Sequence, residues 1–306
     1  MHDKEQITTR TYKIKAIVIG ILAVMVYIAS QYVMFCNLPI LESTGERVET
    51  DFLKWAINRN SDIEILVNPA IEYETNFAMR QMLDGYDWIY YGVGIHPDRL
   101  GQDETVDEEW EKGLLQQVTK EKVVAIGETG LDLYRISRDE SGQVDERGVV
   151  SLGRQYKWFR KQLKLAALFK LPLILHIRDA HKEAIRVLKE YQEDLTLEVN
   201  GVVHCFTGTD YEDVENYVDM KYMLGIGGAV TYPENEELRD IVKRVPLEAI
   251  VLETDSPYVM PQGISGKRNT PLNIPYIAKV VAELKEIDIK EVERETTKNA
   301  RRLFGI

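Results

Sequence analysis

Cysteine is scarce in this chain of 306 residues, which has only Cys36 and Cys205. Two cysteines are too few for a disulfide framework, and we expect both to be small buried apolar residues. Positive charge is also in deficit, because 38 Lys and Arg face 50 Asp and Glu and the net charge is −12. A protein that coats nucleic acid is usually basic, so this class is disfavoured, although a local basic patch could still bind DNA.

The signatures of disorder and of dinucleotide binding are missing too. The composition, 44% hydrophobic and 29% charged, is ordinary for a globular protein. No G-x-G-x-x-G motif follows the first predicted strand, which argues against a dinucleotide-binding domain. We find no low-complexity segment and no inter-domain linker. The length fits one large domain, since a barrel of about 250 residues counts as one.

Charged residues are absent from positions 16–41. The apolar run of about 20 residues in this segment predicts a membrane-spanning helix over 16–32. Arg10, Lys13 and Lys15 precede it, and such positive flanks predict a cytoplasmic amino terminus with the rest of the chain outside. Without a convincing cleavage signal, we expect a single-pass membrane anchor. The alternative is a helix packed on the domain, or an extension without a role, in a cytoplasmic protein.

Eight apolar runs rich in Val, Ile, Leu and Tyr punctuate the chain. They lie at 33–37, 63–67, 88–94, 122–127, 171–176, 201–204, 222–227 and 249–253. Continuous apolar runs are typical of strands buried on both faces, as in parallel sheets, and most of the intervening stretches have helical periodicity. This alternation predicts an α/β fold, a TIM-type (β/α)8 barrel. We therefore expect an amino-terminal extension over 1–32, which contains the hydrophobic helix over about 16–32, and the barrel over 33–306.

Four of these runs end at a side chain that can bind a metal ion. They are Glu128 in AIGETGLD, His176 in LILHIRDA, His204 in GVVHCFTG and Asp255 in VLETDSPY. Because the carboxyl ends of barrel strands meet at one rim, we expect these side chains to converge. Imidazole and carboxylate ligands suit a hydrolytic divalent ion that keeps one position open for water. Asp255 could bind the metal or accept the proton of the attacking water.

Two further residues are candidates for substrate binding. His96 in GVGIHPD follows the third run and either faces the pocket or braces its own loop. Arg178 lies two residues beyond His176, so strand alternation points both side chains the same way. A guanidinium group suits a substrate phosphate, and a salt bridge with a neighbouring acid is the alternative.

From about residue 63 to the carboxyl end, the chain resembles the TatD family of metal-dependent hydrolases, often described as TatD-type deoxyribonucleases. The motifs are, in the family's order, NPAIEYETN, GVGIHP, AIGETGLD, LPLILHIRDA, VVHCFTG, GIGGAVTY, LETDSPY, GKRNTP and TTKNARRLFGI. The resemblance implies a distorted barrel of the amidohydrolase type, two divalent ions (Mg, Mn or Zn) and hydrolysis of phosphodiester bonds in DNA. It also implies that the family's ligand positions are Glu128, His176, His204 and Asp255.

The first strand departs from the family's pattern. Family members begin near Met-Phe-Asp-x-His-x-His-Leu, and the two histidines bind one ion. We expect residues 34–41 to correspond to this motif, with Leu38 and Ile40 in place of the histidines. Neither hydrocarbon side chain can bind a metal, so one ion would be lost or weakly held. The other ion would keep a two-histidine, one-carboxylate set with open positions: Glu128, His176 and His204.

Three functions therefore remain open. The first is metal-dependent hydrolysis of DNA phosphodiester bonds, with one ion in place of two and reduced activity. The second is a catalytically inactive relative that has a binding or scaffold role at the membrane. The third is hydrolysis of a small ester or amide, for which a single ion is sufficient. The sequence favours the first.

Overall fold

We describe the fold on a computed structural model of the chain. It describes residues 16–19, 63–70, 73, 76–77, 85–100, 104–195, 200–256, 258–265 and 269–306. Within these residues, strands and helices alternate along the chain, as the sequence predicts.

Eight parallel strands form one sheet, and their order in the sheet is their order in the chain. They are β1 Ala16–Ile19, β2 Ile63–Pro69, β3 Ile89–Val93, β4 Val123–Asp132, β5 Leu173–Arg178, β6 Gly201–His204, β7 Tyr222–Ile226 and β8 Ile250–Leu252. All carboxyl ends consequently lie at one edge of the sheet. This is the topology of a TIM-barrel-like α/β fold, and the predicted strands β2 to β8 are confirmed within a few residues.

Seven α-helices follow the strands in the described part of the chain. They are α1 Asp107–Gln117, α2 Glu146–Phe169, α3 His181–Leu195, α4 Tyr211–Asp219, α5 Glu236–Arg244, α6 Ile274–Lys285 and α7 Ile289–Phe304. Side-chain caps fix several of their starts; Asp145, for example, accepts a hydrogen bond from the Gly148 backbone N–H at 2.8 Å and begins α2. Helix α7 ends at Gly305, whose φ of 68° suits glycine.

Strands buried on both faces explain the continuous apolar runs. Every residue of β4 and of β7 is buried. One large apolar cluster includes Trp158 and Phe159 of α2. A second cluster joins strand residues such as Val202 to Phe304 of α7. Because the sheet is covered in this way, its polar side chains are concentrated where the strands end.

The amino-terminal prediction is wrong at its start. Residues Ala16–Ile19, predicted to begin a helix, form β1 and pair in parallel with β2. A short apolar run such as AIVI suits a buried strand as well as a membrane helix, and periodicity cannot separate the two. The predicted first strand, 33–37, and the rest of the predicted helix, 20–32, lie outside the described residues. None of the helices that the structure describes combines the length and the apolar character needed to cross a membrane.

Candidate metal centre

Glu128 lies on an irregularity of β4 rather than at its end. Ile126 pairs with Leu173 and Thr129 with Leu175, so β4 has one residue more than β5 between these pairs. A bulge of this kind redirects a side chain and is common beside active sites. The backbone N–H of Glu128 donates instead to the Ala70 carbonyl at 2.7 Å, just beyond β2. The Glu128 carboxylate, only 3% exposed, is thereby held at the carboxyl edge of the sheet.

Three histidines and a second carboxylate meet around this group. Oε2 of Glu128 lies 3.6 Å from His96 Nε2, and Oε1 lies 3.4 Å from His204 Nε2. The same His204 nitrogen lies 3.5 Å from Asp255 Oδ1. The rings of His96 and His176 have their centroids 4.0 Å apart. The structure therefore brings together all four predicted ligands, and it adds His96, which the sequence placed with the substrate.

Each histidine has a carboxylate partner of its own. Nδ1 of His96 lies 2.6 Å from Asp98 Oδ1, and Nε2 of His176 lies 3.2 Å from Asp132 Oδ2. Nδ1 of His204 contacts Glu253, which is fully buried. A carboxylate that accepts the N–H of one ring nitrogen fixes the tautomer and leaves the other nitrogen for a metal ion. The nitrogens that face away from these carboxylates are His96 Nε2, His176 Nδ1 and His204 Nε2.

The pKa shifts at the centre follow from burial and from these pairs. Burial, reinforced by His96 beside it, lowers the pKa of His176 to about 4, so the ring is neutral at pH 7, as a metal ligand must be. Burial also raises the pKa of Glu128. Burial alone would lower the pKa of His204, but the carboxylates of Glu253 and Glu128 outweigh it and raise that pKa well above its usual range.

These residues fit a divalent cation. His96, Glu128 and His176 each offer a ligand atom, and these atoms lie within 4.8 Å of one another. Among the described residues, none donates a hydrogen bond to the buried Oε1 of Glu128. Burying a carboxylate with one oxygen lacking a donor costs free energy, and a cation bound to the same carboxylate would offset that cost. A pair of histidines with one carboxylate is also a donor set that divalent metals in hydrolases use.

Helix α2 holds the strands that carry the centre. Buried Gln162 accepts from the Ile95 N–H at 2.8 Å and donates to the Ile95 carbonyl at 3.1 Å and to Thr129 Oγ1 at 2.7 Å. It thus holds the residues beside His96 and Glu128. Gln155, seven residues earlier and on the same helix face, makes both backbone hydrogen bonds of Asp132, at 2.8 and 3.1 Å.

A glycine allows these strands to approach each other. A Cβ at Gly94 would lie 2.8 Å from Gly127 Cα, so the end of β3 can come this close to β4 only without a side chain. The amide of Asn76 in NPAIEYETN bonds both the N–H and the carbonyl of Gly94, each at 2.9 Å. The motif NPAIEYETN therefore positions the backbone before His96 rather than performing chemistry.

The sequence missed the three carboxylates that hold the histidine rings. Asp98 lies two residues after His96, Asp132 lies four after Glu128, and Glu253 lies two before Asp255. The sequence shows these acids within or next to the motifs. The histidine ring that each acid contacts depends, however, on how neighbouring strands align. Arg178, predicted to face the substrate, lies at the same edge, exposed, with its guanidinium carbon 3.8 Å from the centre of the Tyr134 ring.

A cavity of about 350 Å³ adjoins Asp98. Two serines and Gln155 also line it, and Arg135 and Arg147 bring positive charge to it. Arg135 donates to Asp98 Oδ2 at 3.0 Å. A cavity large enough for part of a small ligand therefore adjoins Asp98, the carboxylate that contacts His96.

Comparison with known proteins agrees with this geometry. Residues 46–305 match the family model of the TatD related DNases. The chain is 36% identical over 265 residues to YabD of Bacillus subtilis, an uncharacterized metal-dependent hydrolase. This match covers 86% of the present chain and 96% of YabD. The chain is also 35% identical over 247 residues to the 3′-5′ ssDNA/RNA exonuclease TatD of a Rahnella species, covering 79% of this chain and 87% of that enzyme.

A solved structure is similar as well. The TatD homologue YjjV of Escherichia coli superposes with a TM-score of 0.71 and 29% identity, over 87% of this chain and 95% of YjjV. A TatD family hydrolase of Entamoeba histolytica, at 22% identity, has the same fold with a TM-score of 0.72. The predicted family and fold type are confirmed.

Proposed function

Because the chain belongs to the family of TatD related DNases, and is therefore a metal-dependent hydrolase, we propose that it hydrolyses phosphodiester bonds of single-stranded nucleic acid. The observation that carries the proposal is the convergence of His96, Glu128, His176, His204 and Asp255 at one edge of the sheet. Nucleic acid as substrate rests on the Rahnella relative, which is named a 3′-5′ ssDNA/RNA exonuclease.

Histidine nitrogens and the Glu128 carboxylate would hold the ion. When bound, a divalent cation lowers the pKa of water and polarises the scissile phosphoryl group. Asp255 is the carboxylate best placed to take the proton of the attacking water, because 18% of its side chain is exposed, against 4% for Glu128 and none for Glu253. The φ of Asp255 is 50°, a conformation that the surrounding structure must hold in place and that is frequent at functional sites.

We further propose that one ion is enough for this chain. Ala16–Ile19, the residues of β1, carry only hydrocarbon side chains and can supply no ligand. Leu38 and Ile40, predicted to replace the histidine pair, lie outside the described residues and before residue 46, where the family match begins. The proposed set is therefore His96, Glu128 and His176, with His204 beside the second oxygen of Glu128.

Metal content and nuclease activity, measured together, test the proposal. We expect about one ion per chain by elemental analysis, and cleavage of single-stranded DNA in Mg²⁺, Mn²⁺ or Zn²⁺ that is lost in His176→Ala. His181→Gln is a matched control, because this histidine contacts Tyr217 and Phe206 instead of the centre. A wild-type protein that binds no ion and cleaves no nucleic acid would support the inactive scaffold instead. Turnover of small esters without cleavage of DNA would support the third function.

Location at a membrane is a separate proposal. It rests on the uncharged composition of residues 20–41, since the residues just before them form β1. Fractionation of cells that express the full chain tests it. Recovery of the protein wholly in the soluble fraction would count against an anchor.

A further inference from the structure

An aromatic ring and a guanidinium group are stacked at the edge of the sheet. The guanidinium carbon of Arg178 lies 3.8 Å from the centre of the Tyr134 ring. Both side chains are exposed, and 61% of Tyr134 remains accessible to solvent. One face of the ring is covered by arginine, and the ring still presents a large apolar area to water. A large exposed aromatic ring beside an active site is a common feature of ligand recognition.

This pair is joined directly to the metal centre. Arg178 pairs in register with Asp132, the carboxylate that contacts His176. The backbone N–H of Leu133, next to Tyr134, donates to the Arg178 carbonyl at 2.9 Å. Arg178 is two residues beyond His176, or about 7 Å along the strand. The pair therefore lies at the same edge of the sheet as the centre, just beyond one of its histidines.

Stability does not explain the pair. A stacked cation and ring at the surface contributes only about 0.5–1 kcal/mol, and a tyrosine ring that stays 61% exposed gains little from burial. The protein as a whole has a net charge of −12, which repels phosphate. The guanidinium of Arg178 is therefore a local positive charge that attracts a phosphate to this edge. A second tyrosine, Tyr258, lies three residues after Asp255 and is 53% exposed.

We infer that Tyr134 and Arg178 form a platform for an unpaired nucleotide of the substrate. The base stacks on the open face of the Tyr134 ring, and the guanidinium of Arg178 holds the adjoining phosphate. Stacking is available to any base but not to one that is paired and stacked in a duplex, so the platform selects single strands with little regard for sequence. This inference rests on the nuclease function proposed above and names residues that would recognise the substrate.

Fluorescence of a base analogue tests the stacking directly. The full-length protein with Mg²⁺ is titrated into single-stranded oligonucleotides with phosphorothioate linkages, which slow cleavage, and with 2-aminopurine at successive positions from the 3′ end. We expect quenching at one position. Tyr134→Ala should abolish that quenching and raise the Kd about tenfold, whereas Tyr134→Phe and Tyr134→Trp, which keep a ring, should retain the quenching.

A matched control is available on the outer helical layer. Tyr156 of α2 also has an arginine beside its ring, with the Arg160 guanidinium carbon 5.6 Å from the ring centre, and Tyr156→Ala should bind as the wild type does. In steady state, the ratio of kcat/KM on the oligonucleotide to kcat/KM on bis(p-nitrophenyl) phosphate, which has no base, should fall about tenfold in Tyr134→Ala.

The outcomes separate the platform from the nuclease function. A wild-type protein that cleaves neither substrate refutes the nuclease function, and the quenching still reports on the platform. An active protein in which Tyr134→Ala binds and quenches like the wild type refutes the platform. The platform is also refuted if no position is quenched, or if Tyr134→Phe loses as much affinity as Tyr134→Ala.

Discussion

The two oxygens of Glu128 face different surroundings. Oε2 lies toward His96, whose ring packs against that of His176. Glu128 and these histidines come from β4, from the loop after β3 and from β5. Oε1 lies toward His204, which also faces Asp255, and these come from the ends of β6 and β8. The first side has a complete set of ligand atoms within 4.8 Å. The second has one histidine nitrogen and the most exposed carboxylate of the centre.

This difference teaches how the centre could work with one ion. The Oε2 side needs nothing from β1, because its donors are already there. In a closed barrel, β8 is the neighbour of β1. The Oε1 side, to which the end of β8 contributes Asp255, therefore adjoins β1, and β1 offers only hydrocarbon side chains. Among the described residues, this side offers fewer ligand atoms and keeps an accessible carboxylate, which suits it to water and substrate. We therefore assign the ion to the Oε2 side and proton transfer to the Oε1 side.

Removing the shared carboxylate should have the largest effect. In Glu128→Gln the side chain keeps its size but loses the charge that both sides use. We expect kcat to fall by at least about a thousandfold, because several kcal/mol of transition-state stabilisation depend on the ion, and the bound metal to fall well below one ion per chain. Elemental analysis and single-strand cleavage are the measurements. Full metal content in Glu128→Gln would contradict the role of Glu128 as a ligand.

Asp255→Asn should separate the two sides. If Asp255 is the general base, kcat falls by about 10² to 10⁴-fold while the metal content stays at the wild-type level. Loss of the ion in parallel with activity would instead make Asp255 a ligand and would reverse our assignment of the two sides. Calorimetric metal titration and cleavage kinetics on the same preparation decide between these results.

The carboxylates behind the rings offer a finer comparison. Asp98 holds His96 on the Oε2 side, and Glu253 holds His204 on the Oε1 side. With the ion on the Oε2 side, Asp98→Asn should weaken metal affinity about 10- to 100-fold, and Glu253→Gln should weaken it less. Melting temperatures must accompany the titrations, since Glu253 is fully buried. A larger loss in Glu253→Gln would move the ion to the other side.

The sequence predicted most of this molecule because its strong patterns are local. Buried runs marked seven of the strands, and the chemistry of Glu128, His176, His204 and Asp255 marked the edge where they converge. It failed at β1, where four apolar residues fit a strand and a membrane helix equally well. It also underrated His96, because a histidine in a loop reveals its direction only once Gln162 and Asn76 have fixed the backbone on either side of it.

The smallest effect we predict concerns that support. Gln162→Leu keeps the volume at a buried position but leaves the Ile95 N–H, the Ile95 carbonyl and Thr129 Oγ1 without this partner. Unmade hydrogen bonds of this kind cost about 1–3 kcal/mol each in the free energy of unfolding. Ile95 adjoins His96, and Thr129 adjoins Glu128. Because His96 Nε2 and Glu128 Oε2 face each other on the Oε2 side, metal affinity should fall together with stability.

Gln155→Leu is the matched variant on the same helix face, because it removes hydrogen bonds only from the backbone of Asp132, the residue whose carboxylate contacts His176. Chemical denaturation and metal titration of both should therefore show the greater loss of affinity in Gln162→Leu, and equal losses would mean that α2 supports the fold without tuning the centre.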